Sequence, residues 1–362
     1  MKLRISTLVI LVSLSVNAFA QMPDLFKRKN IEAKMQTVAK WQLANPKHKL
    51  WDWTNGAFYA GVFAAYETTK SPDLMNAMLE MGEKNEWKPG PRFDHADDIV
   101  INQTYLDIYR IKKDKKMLQP TIDVAERLKK ETGKEVEKHG IAWWWCDALF
   151  MAPPTLAKLA RITGDSSYLD LNDKLFMETY NRLWNNEEKL YARDASFLIN
   201  EKGEGKREAN GKKIFWSRGN GWVVGGLVRL LKELPKTHPK REFYMTQYKQ
   251  MIERVATLQQ TDGLWRSSLL DPESYPGGEA SGSGFYIYAM AWGINNKVLD
   301  RKKYLPLARK GWTALNLLVH ADGKVGWTQP IGADPRRNFN ADSWEVYGAG
   351  AFLLAGSEVV KL

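Results

Sequence analysis

The chain has 362 residues, of which 44% are apolar and 12% aromatic, and it carries 15 tryptophans and a formal charge of +11. This composition is typical of a folded globular protein and excludes a long disordered chain. The single cysteine, Cys146, excludes an intramolecular disulfide and is predicted to be a buried apolar filler. The lysines are spread over many short runs rather than one patch, which argues against a nucleic-acid partner.

The first 20 residues have the features of a secretory signal peptide. Lys2 and Arg4 precede an apolar run, and the sequence AFA at 18–20 matches the small-x-small cleavage rule. The run is too short to span a bilayer comfortably. We therefore expect cleavage before Gln21, which removes the charges of Lys2 and Arg4 and lowers the net charge from +11 to +9. The mature chain, 21–362, is then expected to be one catalytic domain without a membrane anchor, secreted or periplasmic.

From residue 25 onward, two kinds of helix alternate. One kind has a single apolar stripe, typical of a helix with one face in water, and the other is rich in glycine, alanine and aromatics all round, typical of a buried helix. Six alternating pairs predict an all-α (α/α)6 barrel with six inner and six outer helices, and an open solenoid of similar hairpins is the alternative. The striped segments are 25–42, 74–84, 117–131, 167–184, 241–259 and 302–319, and the buried-type segments are 53–67, 98–111, 147–162, 219–234, 279–294 and 343–359.

The loops that precede the buried-type helices concentrate aromatic rings and charges. In a closed ring of helical hairpins the amino ends of all inner helices open on one face, so these loops are expected to converge on one mouth. The segment 185–215, rich in charge and glycine, is predicted to form a hairpin or flap over that mouth, with the loops 271–279 and 332–340 on the same side. The mouth residues are Trp51, Trp53, Asp94, His95, Asp97, the run 143–147, Trp216, Arg218, Glu279, Ser281, Asp342 and Trp344.

The sequence lacks the usual motifs for cofactors and metals. The five histidines are far apart, no ligand-spaced cluster is evident, and neither a phosphate-binding loop nor a GxSxG elbow is present. We therefore expect no cofactor and no metal. Acidic residues in a cavity lined by aromatic rings are typical of glycosidases. These enzymes commonly use two carboxyl groups, one of which apolar neighbours keep protonated.

Asp147 and Asp97 are the candidate pair of acids. Asp147 follows three consecutive tryptophans and begins a buried-type helix. Burial would raise its pKa and a helix N-terminus would lower it, and the sequence does not decide between the two effects. Asp97 has the same place in the preceding inner helix, so the two acids are expected to be neighbours around the ring. A plain helix N-cap is the structural alternative for both.

Four stretches together resemble a known family. They are WCDALFMAPP (145–154), HADDIVINQTYLDIY (95–109), FWSRGNGW (215–222) and EASGSGFYIYAMAWG (279–293). In combination they are similar to the unsaturated rhamnogalacturonyl hydrolases of glycoside hydrolase family 105, over roughly residues 25–360. The related unsaturated glucuronyl hydrolases match less well. The resemblance implies the (α/α)6 barrel, and it implies removal of a 4,5-unsaturated uronic acid from the non-reducing end of lyase-generated acidic oligosaccharides by acid-catalysed hydration of the C4=C5 bond.

The resemblance also implies roles for individual residues. Asp147 is expected to be the proton donor and Asp97 its catalytic partner, and Arg218 is expected to lie in the region that binds the substrate carboxylate. The residues predicted to bind substrate are Trp145, Arg218, Trp222, Arg193, Trp53 and His95.

The chain departs from the family pattern at two places. Some members have a histidine where this chain has Arg193, and a family histidine upstream of the catalytic acid has no counterpart at the same position, His139 being displaced. These differences leave the aglycone and the parent polysaccharide open. An inverting glycosidase acting on saturated glycosides and a non-catalytic glycan-binding protein are the alternative functions.

Overall fold

The computed structural model describes residues 24–362, so the predicted signal peptide and its cleavage site lie outside the described residues. Within 24–362, no helix is both long and apolar enough to cross a membrane. The α-helices in chain order are α1 (Arg28–Ala44), α2 (Trp53–Thr69), α3 (Pro72–Lys84), α4 (Ala96–Ile99), α5 (Asn102–Lys112), α6 (Gln119–Lys130), α7 (Lys134–His139), α8 (Ala148–Met151), α9 (Pro153–Thr163), α10 (Ser167–Leu183), α11 (Ser217–Glu233), α12 (Arg241–Ala256), α13 (Ala280–Asn295), α14 (Arg301–Leu317) and α15 (Val346–Val359). A short antiparallel hairpin, β1 (Trp184–Asn185) with β2 (Leu190–Tyr191), follows α10.

The inner helices form a closed ring. Helix α2 packs against α5, α5 against α9, α9 against α11, α11 against α13, α13 against α15, and α15 returns to α2. Helices α1, α3, α6, α10, α12 and α14 alternate with them along the chain and are buried on one side only. The closure confirms the predicted (α/α)6 barrel over the open solenoid.

Small residues let the inner helices approach closely. A Cβ atom added to Gly61 of α2 would lie 2.5 Å from the carbonyl oxygen of Gly350 in α15, and one added to Gly350 would lie 2.6 Å from the oxygen of Ala57. Both distances are shorter than real Cβ contacts, so larger side chains here would separate the two helices. The glycine- and alanine-rich composition of the inner helices therefore indicates that they pack closely.

Two inner helices are interrupted near the mouth, where continuous helices over 98–111 and 147–162 were predicted. In the second, Pro153 and Pro154 lack the backbone N–H groups that would continue the helix. The side-chain amide of Gln103 in α5 donates instead to the oxygens of Phe150 (2.8 Å) and Met151 (3.0 Å). The prediction of one continuous helix is wrong here, because Pro153 and Pro154 lack the N–H groups that would bond to the oxygens of Leu149 and Phe150, and Gln103 binds the second of these oxygens instead.

Candidate active site

A cavity of about 390 Å³ lies at the amino ends of the inner helices. Six of the eight predicted site residues line it, so the ring brings together side chains that are far apart in sequence. The lining residues are Trp53, Asp97, Trp145, Asp147, Met151, Arg193, Trp216, Trp222, Ile331, Gly332, Ala333 and Arg336.

The first part of the 185–215 insertion forms one edge of this cavity. Trp145 pairs with Asp194 in an isolated antiparallel β-bridge, and the N–H of Cys146 donates to the oxygen of Arg193 at 2.8 Å. This backbone pairing fixes Arg193 next to Asp147. Arg193 is the only residue of the insertion that lines the cavity, so the predicted flap contributes to the site through this one segment.

Asp147 and Asp97 stand at the starts of two one-turn helices. Asp147 is the N-cap of α8, yet its side chain makes no capping hydrogen bond, and Asp97 is the second residue of α4. Within residues 24–362, neither Asp147 Oδ1 nor Asp97 Oδ1 has a hydrogen-bond partner. A plain capping role therefore does not account for either carboxyl group.

The surroundings favour a proton on this pair of acids. Burial and the negative charge of Asp147 raise the pKa of Asp97 to about 8. Burial also raises the pKa of Asp147, while the nearby Arg193 and Arg218 oppose that rise. Because the two carboxyl groups repel each other when both are ionised, the pair retains one proton at neutral pH.

Arg193 is the cation closest to the reacting groups. Its Nε lies 3.4 Å from Asp147 Oδ2, and its Nη1 donates to Asp194 Oδ2 at 2.8 Å. The guanidinium also lies over the Trp144 ring, 5.3 Å from the ring centroid. Arg193 is thus held from two sides with Nε near the acid but without a hydrogen-bond partner in residues 24–362, and an Arg offers planar donors that suit a carboxylate.

Aromatic rings form the walls. Trp145 packs between His95 and Trp144, with ring centroids 4.5 and 5.0 Å away. Trp53 stacks on Tyr347 at 5.2 Å and meets the edge of Trp222 at 6.0 Å. These rings present flat apolar surfaces of the kind on which sugar rings pack.

His95 lies behind the wall rather than in it. It contacts the Trp145 ring but does not line the cavity, which revises the expectation that it binds substrate. Burial, followed by the charge of Arg92, lowers the pKa of His95 to about 4, so the imidazole is neutral at neutral pH and supports Trp145 as a packed ring.

The other residues of the WWWC run now have defined surroundings. Trp143 is fully buried in the core. Trp144 stacks on His139 at 4.1 Å and donates from its indole nitrogen to Glu135 at 2.7 Å. Cys146 is buried, and burial raises its thiol pKa well above the usual range, which agrees with its predicted role as filler.

Arg218 does not line the cavity, although its charge is near enough to lower the pKa of Asp147. It is fully buried, with its guanidinium between the rings of Trp216 (4.4 Å) and Tyr347 (4.8 Å). Its Nη1 donates to the oxygen of Gln329 at 2.6 Å and its Nη2 to that of Pro330 at 3.0 Å. These carbonyls accept from Nη1 and Nη2, whereas Nε has no hydrogen-bond partner within residues 24–362.

Sequence reasoning missed one side of the cavity. Met151 and the loop residues Ile331, Gly332, Ala333 and Arg336 line it, whereas only a loop at 332–340 on this face was predicted from the sequence. The two arginines of the turn were the available signal, but no local pattern shows which of them faces the mouth.

The opposite end of the barrel has a larger cavity, of about 910 Å³, with different chemistry. Its carboxylates are ion-paired: Glu233 with Arg110 at 2.6 Å and Glu358 with Lys232 at 2.7 Å. Burial alone would raise the pKa of Glu233, but the hydrogen bond from Arg110 lowers it to about 2. These acids are ionised at neutral pH and cannot donate a proton, so the mouth is the candidate active site.

The comparisons with known proteins identify the family of this chain. The chain matches the profile of Glycosyl Hydrolase Family 88 over residues 27–362 and belongs to that family. The protein is therefore a glycoside hydrolase.

Similar proteins extend the match over nearly the whole chain. The unsaturated 3S-rhamnoglycuronyl hydrolase of Formosa agariphila is 46% identical over an alignment of 373 positions. The alignment covers 99% of this chain and 98% of that one. The enzyme of the same name from Alteromonas sp. is 33% identical, over 85% and 77% of the two chains. Among solved structures, a family 88 glycosyl hydrolase from Bacteroides vulgatus has a TM-score of 0.84 at 30% identity, covering 93% of this chain and 100% of that one. The unsaturated glucuronyl hydrolase of Bacillus sp. GL1, at 18% identity and a TM-score of 0.63 over 92% and 96% of the chains, shows the shared fold.

Proposed function

We propose that this protein removes a 4,5-unsaturated uronic acid from the non-reducing end of acidic oligosaccharides released by polysaccharide lyases. The observation that carries the proposal is the Asp97–Asp147 pair, which retains a proton beside an arginine in an aromatic cavity. A proton donor is needed because the unsaturated ring is a vinyl ether, and an arginine is needed because the ring carries a carboxylate.

The reaction is a hydration followed by ring opening. Asp147 donates its proton to C4, which leaves a cation shared by C5 and the ring oxygen. A water molecule adds to C5 and returns one proton to the carboxylate, so that one water is consumed and the acid is regenerated. The resulting hemiketal opens to a ketone, the aglycone leaves from C1, and an open-chain keto sugar is released.

Arg193 links substrate binding to the position of the proton. In the free enzyme it lies beside Asp147 and favours the ionised form of that acid. The substrate carboxylate competes for the same guanidinium. When Arg193 binds it, Asp147 loses part of the stabilisation of its charge, so the proton that Asp97 carries moves to Asp147.

We extend the substrate of the Formosa agariphila and Alteromonas relatives to this chain, with an unsaturated uronyl residue linked to rhamnose. The mature protein is proposed to act outside the cytoplasm after cleavage of residues 1–20. Amino-terminal sequencing of the exported protein is expected to begin at Gln21, and a retained Met1 would contradict this location.

The function is tested with lyase digests of several acidic polysaccharides. The expected result is loss of the double-bond ultraviolet absorbance together with release of one open-chain keto sugar per chain end. Asp147→Asn is expected to keep the helical circular dichroism and to abolish the absorbance loss. Hydrolysis of saturated glycosides, or turnover at the native rate by Asp147→Asn, would contradict the proposal.

A further inference from the structure

Helix α7 is short and lies at the surface, yet both of its ends are held in place. None of its residues is buried. At its start, the buried carboxylate of Asp94 accepts from the N–H of Glu135 at 2.7 Å, and a Cβ atom added to Gly133 would collide with Asp94 Oδ2. At its end, Arg182 donates to the oxygen of His139 at 2.7 Å. These contacts fix the position of α7, although it contributes no buried side chain to the core.

Two side chains of α7 fix the orientation of the Trp144 indole. The indole nitrogen donates to Glu135 Oε2 at 2.7 Å, and the His139 ring stacks on the indole with the centroids 4.1 Å and the planes 20° apart. Such a hydrogen bond is not automatic, since the indole nitrogen of the neighbouring Trp143 is buried without a partner in residues 24–362. The stacking sets the plane of the Trp144 ring, and the hydrogen bond sets its rotation within that plane.

Trp144 does not line the cavity, but it contacts two residues that do. Its ring centroid lies 5.0 Å from that of Trp145, and the Arg193 guanidinium lies over its ring at 5.3 Å. A cation over the face of an indole is attracted by the negative face of the ring. Trp144 is therefore the surface that supports Arg193 from behind the cavity wall.

Arg193 needs this support because its remaining contact leaves the guanidinium free to pivot. Nη1 donates to Asp194 Oδ2 at 2.8 Å, whereas Nε, 3.4 Å from Asp147 Oδ2, is buried without a hydrogen-bond partner in the described residues. A single hydrogen bond fixes one nitrogen but not the plane of the group. Contact with the Trp144 ring restricts that plane and thereby the direction of Nε.

We propose that Glu135 is a positioning residue for substrate binding, which acts through Trp144 to hold Arg193 in the orientation that receives the substrate carboxylate. The inference rests on the proposed function, in which Arg193 binds the carboxylate of the terminal ring. Glu135 does not line the cavity, so its replacement is expected to weaken binding of the substrate rather than slow the chemical step.

The first test compares kcat and KM of two variants, with an unsaturated disaccharide from the lyase digests as substrate. Glu135→Ala removes the acceptor and is expected to raise KM roughly threefold to tenfold, within the range for a partly buried cation–π contact, with kcat nearly unchanged. Glu135→Gln keeps an amide oxygen that accepts from Trp144 and should restore most of the affinity. Glu137→Ala is the matched control, since Glu137 lies in the same helix but is exposed, and it should leave KM unchanged.

A double-mutant cycle separates this role from a general effect on the fold. Trp144→Phe keeps an aromatic ring but removes the N–H that Glu135 accepts. In the Trp144→Phe background, Glu135→Ala is expected to add little to the rise in KM, because the hydrogen bond between the two residues is already absent. An equal further rise in both backgrounds would show that Glu135 does not act through Trp144 and would overturn the inference.

Arg193→Gln, measured alongside, separates the inference from the proposed function. If KM rises in Arg193→Gln but not in Glu135→Ala, or if Glu135→Ala lowers kcat alone, the inference is overturned and the function stands. The same holds if Glu135→Gln is as impaired as Glu135→Ala. An unchanged KM in Arg193→Gln would instead contradict carboxylate binding by Arg193, and with it the proposed function.

Discussion

Replacing Asp97 by asparagine should stabilise the protein while removing activity. Asparagine has the same shape but cannot ionise. Burial and Asp147 raise the pKa of Asp97 from 3.8 to about 8, so the folded protein retains a proton that the unfolded chain loses above about pH 4. The free energy of unfolding of the wild type therefore decreases as pH rises from about 4 to about 8, by about 1.4 kcal/mol per pH unit. The accumulated penalty is on the order of 6 kcal/mol near pH 8.

The assay is urea unfolding of wild type and Asp97→Asn across this pH range. The difference in unfolding free energy should be near zero around pH 4, grow in favour of the variant up to about pH 8, and then level off. Asp98→Asn is the matched control. Asp98 accepts from the Arg92 guanidinium at 2.6 Å and from the Arg92 N–H at 2.8 Å, so its replacement should destabilise the fold by about 1–3 kcal/mol. Parallel stability curves for wild type and Asp97→Asn would refute the assigned pKa.

Three further predictions concern the proton, the carboxylate and the loop. Because the donor must be protonated, kcat/KM should fall as pH rises above about 8, where the acid pair loses its shared proton. A rate that increases through that range would contradict the role of the pair. Arg193→Gln should raise KM roughly tenfold or more through loss of a charge-assisted contact, and an unchanged KM would remove Arg193 from carboxylate binding. Arg218→Met should increase amide hydrogen exchange in 329–336, because Arg218 donates to the oxygens of Gln329 and Pro330, while unchanged exchange there would show that Arg218 does not hold the loop.

The architecture could be predicted from sequence because it depends on composition along each helix. Gly61 and Gly350 lie in segments that are small or apolar all round, and such segments can only be inner helices. The same reasoning correctly placed Asp97, Asp147, Trp145, Trp53 and Trp216 at one mouth, whereas Trp222 was expected from the family resemblance. Chain order and helix type alone carried that information.

Side-chain direction could not be predicted in the same way. Arg218 occupies the expected position, but its donors are taken by carbonyls 111 and 112 residues further along the chain. Arg336 lines the cavity only because closure of the ring brings its loop opposite the acids. Pro153 and Pro154 were placed inside one helix because the sequence alone does not show that Gln103, a distant residue, binds the Phe150 oxygen that Pro154 leaves free. Each of these outcomes depends on contacts between distant segments.

The helix interruptions help to explain the raised pKa values of Asp97 and Asp147. A helix N-terminus favours a negative charge because aligned peptide dipoles add along its length, and a long helix beginning at Asp147 would favour its ionised form. Helix α8 has only four residues before Ala152, and α4, which carries Asp97, also has four. So few peptides contribute little dipole, and Asp147 accepts no capping hydrogen bond. Burial then dominates at both acids. The Pro153–Pro154 pair, by interrupting the helix that begins beside Asp147, therefore limits the dipole that would oppose the raised pKa of this one carboxyl group.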